Sequence, residues 1–207
     1  MLSATHSFVG VALVVVACGD NRVPDMNAVD ASIAAIDVAP PESCWPDDGQ
    51  IARGWGLLGT GRDTFEAMPA ILPIEYGAQD GFDLVANVKM DGLVPGDPSN
   101  VLNPINPRTR VRAYFAATNI PLNYLAKCPY RYGYIPSADG HYQFAQGVAV
   151  VFETCWRAQH LIGQQVRIDL EIVDSDGGYA TNSVTVTLAE PTTGQYPIEP
   201  EMPGCMH

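Results

Sequence analysis

The chain has 207 residues, with 23 acidic and 11 basic side chains and a formal net charge of −12. That balance argues against nucleic acid as a partner, since phosphate backbones call for clustered Lys and Arg, and against electrostatic docking on anionic lipid. Apolar residues make up 47% of the chain, enough for a real core, while 19 Gly, 17 Pro and a charged fraction of only 16% favour many turns and an all-β class.

Residues 1–17 are expected to be an export signal. Phe8 to Ala17, "FVGVALVVVA", is an unbroken apolar run of ten residues. It is shorter than the roughly 20 residues a membrane-spanning helix needs, and it suits the apolar core of a signal peptide. Met1 to Ser7 lacks the Lys or Arg that such a segment usually carries. Residues 18–43 read as an acidic flexible linker. They contain no Phe, Trp or Tyr and close on Pro40-Pro41, and from Cys18 to Gln50 seven acids face one base, Arg22. Spaced aspartates without a strong apolar face favour a disordered tether.

From Cys44 to residue 207 the dominant signal is period-two alternation, which predicts half-buried strands. Phe82, Leu84, Ala86, Val88 and Met90 share one face, with Asp83, Asn87 and Lys89 on the other. Val111, Ala113 and Phe115 oppose Arg110, Arg112 and Tyr114; Val148, Val150 and Phe152 fall together. Val166, Ile168, Leu170 and Ile172 alternate with Arg167, Asp169 and Glu171, and Val184, Val186 and Leu188 with Ser183, Thr185 and Thr187. "GWGLLGTG" and "AILPIEYG" are weaker strands, the second an edge or bulged one because Pro73 lacks an N–H. Asp91-Gly92 and Asp176-Gly177-Gly178 are turn signals. About seven strands of this kind, all antiparallel by their one-face alternation, predict an immunoglobulin-like β-sandwich, with a jelly roll or small barrel as the competing architecture.

Five cysteines is an odd number, and the first explains itself by its setting. Val15-Val16-Ala17-Cys18 resembles the lipobox of bacterial lipoproteins, which implies cleavage before Cys18 and acylation of it. Gly19 rather than Asp follows, which in that family's Gram-negative sorting points to the outer rather than the inner membrane. Acyl chains would make the membrane a partner through a lipid anchor. Cys44, Cys128, Cys155 and Cys205 are then left as two bridges in an oxidising compartment. Three connectivities exist. Cys44–Cys205 with Cys128–Cys155 is preferred, because the first pair brackets the domain. Zinc is disfavoured, since no two of these cysteines are close in sequence.

The stretch "GLLGTGRDTFEAM…LPIEYGAQDGFDLVANVKMDGLVPGD" resembles uncharacterised lipoproteins of myxobacteria over about residues 56–188. The matching positions are Gly59, Gly61, Phe65, Glu66, Gly77, Gln79, Gly81, Gly92 and Leu93, with a later turn and strand in "IVDSDGGYATNSVTVTL". Asp80 stands where that pattern has Gly, and Asp83 where it often has His. The resemblance implies an anchored, Ig-like extracytoplasmic domain and no particular activity.

No catalytic motif accompanies Ser, His and acid residues, and no Gly-x-Ser-x-Gly elbow is present; an enzyme is not expected, and no cofactor is called for. The histidines are His6, His141, His160 and His207. Asp174 and Asp176, in "DSDGG", faintly match a calcium loop, but the required later Glu is missing and a hairpin turn is the simpler reading. Tyr130, Tyr132, Tyr134 and Tyr142 crowd the segment 128–142. They are either one face of a strand packed on the core or a binding loop for glycan, small ligand or protein.

Overall fold

The alternation becomes strands where it is strongest. The computed structural model describes residues 50–77, 81–123 and 130–192, all within one unit, Val38–His207. The elements in chain order are β1 (Ile51–Ala52), β2 (Trp55–Thr60), β3 (Glu66–Ala67), β4 (Ile71–Pro73), β5 (Glu75–Tyr76), β6 (Phe82–Asp91), β7 (Arg108–Phe115) and β8 (Tyr130–Arg131). They continue as β9 (Ile135–Pro136), β10 (Tyr142–Gln143), β11 (Val148–Val151), the one-turn helix α1 (Ala158–Leu161), β12 (Gln165–Val173) and β13 (Gly178–Ala189). The protein is all-β, with two curled sheets in a sandwich-like arrangement. Among the described residues no helix is long and apolar enough to cross a membrane.

One sheet runs β1-β13-β12-β7-β8, with β4 also on β13. The other runs β3-β2-β6-β10-β9, with β5 and β11 also on β6. The expected count of about seven is too low, because short pieces line the long strands. β6 is met by β2 at residues 87–91, by β5 at 82–83, by β11 at 83–86 and by β10 at 89–90. The all-antiparallel expectation also fails at two places. β1 and β4 both pair parallel with β13, at Gly178–Tyr179 and at Thr187–Ala189. Each is too short to show a pattern of its own. Pro73 ends β4 at the sheet edge, where its missing N–H costs no ladder bond. The next residue, Ile74, is fully buried, and its N–H donates to Ala189 O at 3.1 Å as the chain leaves for β5 in the other sheet.

The apolar stripes meet between the sheets. Val166, Ile168, Leu170 and Ile172 of β12 pack with Val111 and Ala113 of β7 and with Leu84, Ala86, Val88 and Met90 of β6, all essentially inaccessible. Burial of each large aliphatic side chain is worth about 1.5–3 kcal/mol. At Gly56 of β2 the side chains of Ile172 and Leu170 come within 3.0 and 3.2 Å of where a Cβ would stand, so β2 lies close on β12. Leu58 N–H donates to Asn182 Oδ1 at 3.3 Å, tying β2 to the stretch of β13 between its two parallel partners.

The two outer faces differ. On the β7–β12–β13 sheet, Glu171 accepts from Arg110 and Arg112 at 2.7 and 2.9 Å, and Asp169 accepts from Arg167 and Ser183. This face is polar, and its acids Glu171 and Asp169 are engaged by neighbouring strands. On β6 the outer face is covered, contrary to the expected solvent-facing alternation: Asp83, Val85 and Asn87 are buried as well as the inner set. The β2–β3 connection folds back over it. Asn87 Nδ2 donates to Gly61 O at 3.0 Å, Thr60 Oγ1 donates to Val85 O at 2.9 Å, and Gly147 N–H donates to Arg62 O at 2.7 Å.

Candidate functional site

The tyrosine-rich segment is largely structural. Tyr134 is 1% exposed and its hydroxyl lies 2.7 Å from Thr109 Oγ1. Burial raises the Tyr134 phenol well above its ordinary range, with the Thr109 hydrogen bond opposing. Tyr132 is half-buried with its ring edge-on to Phe144 at 5.2 Å, and Tyr134 tilts against the same ring at 4.8 Å. Tyr142, on β10 opposite Met90, also packs on the core. Tyr130 begins β8. Of the two readings of this segment, packing on the core describes Tyr134, which is buried, and Tyr132 and Tyr142 are partly buried against the same core. Their payload is hydrophobic area, and the core takes it.

Asp174 and Asp176 close the β12–β13 hairpin, with Gly177 at φ 78°. The Asp174 carboxylate accepts from Val94 N–H at 2.8 Å, Gly178 N–H at 2.6 Å, Asp176 N–H at 3.0 Å and the Arg53 guanidinium at 2.7 Å. Burial works against its ionisation, but these donors prevail and hold the carboxyl below its usual range. Donors already engage both oxygens that a cation would need. Among the described residues no group of three or more His, Cys, Asp or Glu side chains could hold a metal ion.

The histidines are placed apart. His160 Nδ1 accepts from Arg157 N–H at 3.1 Å and so belongs to α1. His141 Nδ1 lies 3.4 Å from Asp91 Oδ2, and its ring meets Trp55 edge-on at 4.9 Å. A cleft of about 640 Å³ opens beside Phe115, Ile120, Trp156 and His160. Trp156 is buried with its ring against Phe115, so the aromatic surface there serves the core. Of the four bridge candidates only Cys155 lies among the described residues; Cys44, Cys128 and Cys205, and also Cys18, lie outside them. Leu122 O accepts from Glu153 N–H at 2.8 Å, so the chain entering residues 124–129 runs beside the turn that carries Cys155.

One feature that the sequence reading missed is an apolar ridge on the outside of β2. Trp55 and Leu57 are 39% and 41% exposed. Two residues on, Gly59 leaves room for the Phe65 ring, whose nearest atom is 2.5 Å from where a Cβ would stand. Trp55 opposes Asp91, and Leu57 opposes Lys89, which in turn opposes Gln143. Lys89 Nζ donates to Asp139 at 2.6 Å and sits 4.7 Å over the Phe65 ring. Lys89 and Ser137 hold the Asp139 carboxyl far below the ordinary range. Beneath the Trp55–Asp91 pair two backbones touch. Gly54 and Gly92 have φ of 70° and 74°, and a Cβ on Gly92 would lie 2.7 Å from Gly54 Cα. The signal in the sequence was the alternation itself: "WGLLG" puts large apolar residues on the polar side of a strand.

No family model, no curated protein sequence and no solved structure matches the chain.

Proposed function

We propose that this chain is a lipid-anchored envelope protein, exported and held at the outer membrane through Cys18, whose sandwich makes noncatalytic structural or protein contacts. The observation that carries the reading is Val15-Val16-Ala17-Cys18 at the end of a ten-residue apolar run and ahead of an acidic linker. Each methylene of an acyl chain placed in the bilayer contributes about 0.8 kcal/mol, and two or more chains give stable anchoring. Setting Cys18 aside leaves Cys44, Cys128, Cys155 and Cys205, an even number that suits bridges in an oxidising compartment. The packing of Tyr132, Tyr134 and Tyr142 on the core favours this reading over ligand capture by residues 128–142.

Metabolic labelling with a palmitate analogue, with and without globomycin, tests it. Wild type is expected to take up label and to accumulate as a larger precursor under globomycin, while Cys18→Ala takes up none. A wild-type chain that stays unlabelled in its own envelope overturns the anchor.

A further inference from the structure

We propose that the outer face of β2 is a binding platform for a neutral oligosaccharide, with Trp55 as its stacking ring. Three observations combine here. The first is the ridge: Trp55, Leu57 and the Phe65 ring over Gly59 stand in line along one strand face. From residue 55 to 59 the strand advances about 13 Å, the length of about two or three pyranose units. The second is rigidity. The Trp55 indole packs on the His141 ring with the two planes near-perpendicular, His141 lies against Asp91, and the Gly54–Gly92 contact pins the ends of the two strands. A ring already fixed in place loses little freedom when a ligand stacks on it.

The third is the chemistry of the flank. Asp91, His141, Gln143 and the Lys89–Asp139 pair run beside the ridge on the neighbouring strands, offering donors and acceptors next to it. A pyranose has this same division: a C–H face, weakly positive, that suits the negative face of an indole, and an equatorial rim of hydroxyls. On the flank the Lys89 ammonium is already engaged by Asp139 and Asp91 adds a second carboxylate, so an anionic ligand gains no net attraction. The exposed parts of Trp55 and Leu57 amount to only on the order of 150–200 Å², against about 800 Å² per partner in a stable protein interface. A small amphipathic ligand fits that area and a folded protein does not.

This inference does not depend on the lipid anchor, and its test leaves the anchor aside. The full chain carrying Cys18→Ala is titrated by calorimetry with cellohexaose, maltohexaose and chitohexaose, and with oligogalacturonate as the anionic counterpart. Saturable binding of at least one neutral hexasaccharide at roughly millimolar concentration or below is expected, with none for oligogalacturonate. Trp55→Ala is expected to weaken it about tenfold or more, as for a central aromatic anchor, and Trp55→Tyr to retain part of it. Leu57→Ser, with an unchanged melting temperature, gives a smaller loss and serves if Trp55→Ala folds poorly. The proposal is overturned if no neutral sugar binds, if oligogalacturonate binds as well as they do, or if the Trp55 and Leu57 variants bind like wild type.

Discussion

Two aspartates carry opposite charge economies. Asp174 is ionised inside a cage of donors that joins β12, β13, the loop at Val94 and Arg53. Asp174→Ala would strand three backbone N–H groups and a guanidinium, and a loss of about 3–5 kcal/mol is expected in denaturant titration. Asp83 is 7% exposed, and its Oδ1 has no hydrogen-bond partner. Burial raises this carboxyl to about 6, the facing Glu75 adds to the shift, and Arg62 opposes it. Below about pH 3 the group is protonated in folded and unfolded chains alike. As pH climbs through 6 the unfolded chain ionises more readily, so stability from this group is lost. Asp83→Asn should therefore melt like wild type at about pH 3 and be more stable by about 1–3 kcal/mol at about pH 8, read from thermal unfolding across that range. The sequence marks both residues only as acids in or beside strands. Which one is caged and which is stranded depends on Val94, Arg53, Glu75 and Arg62, which lie 8 to 121 residues away along the chain.

At the scale of elements, β12, β13, β7 and the inner face of β6 were legible, because a one-sided alternation over eight or more residues admits one register. β1, β3, β5, β8, β9 and β10 have two residues each and leave no periodic trace. The parallel pairing of β1 and β4 escaped for the same reason. The Gly92 turn was legible, but not its cause, which is the approach of Gly54 from the bend between β1 and β2. Substitution separates the two contributions. Gly163 has φ 81° in open space, so Gly163→Ala should cost about 1–2 kcal/mol for backbone conformation alone. Gly92→Ala adds a collision with Gly54 and should cost more, and it should shift the fluorescence of Trp55, which neighbours the contact.

For the whole molecule, the sandwich is closed by connections between sheets as much as by its core. β2 bonds to β6 and also reaches Asn182 of β13. Asn123 imitates a strand at the edge of β7, accepting from Ala113 N–H at 2.8 Å and donating to Val111 O at 3.1 Å. Leu122, its neighbour, bonds to Glu153 past the end of β11. A Cys128–Cys155 bridge would reinforce this same seam and contribute about 2–4 kcal/mol. Non-reducing peptide mapping is expected to return Cys128 with Cys155 and Cys44 with Cys205, and reduction to lower the melting temperature.

By itself the sequence determined the class of the fold, the faces of its long strands, the two glycine turns and the setting of Cys18. These follow from local rules: side-chain period, backbone freedom and the length of an apolar run. Only the tertiary structure decided that Tyr134 goes to the core with Tyr132 and Tyr142 packed against it, that β6 is covered on both sides and that Trp55 and Leu57 stay outside. A strand's pattern says which residues share a face. Whether that face meets solvent depends on what the rest of the chain lays over it.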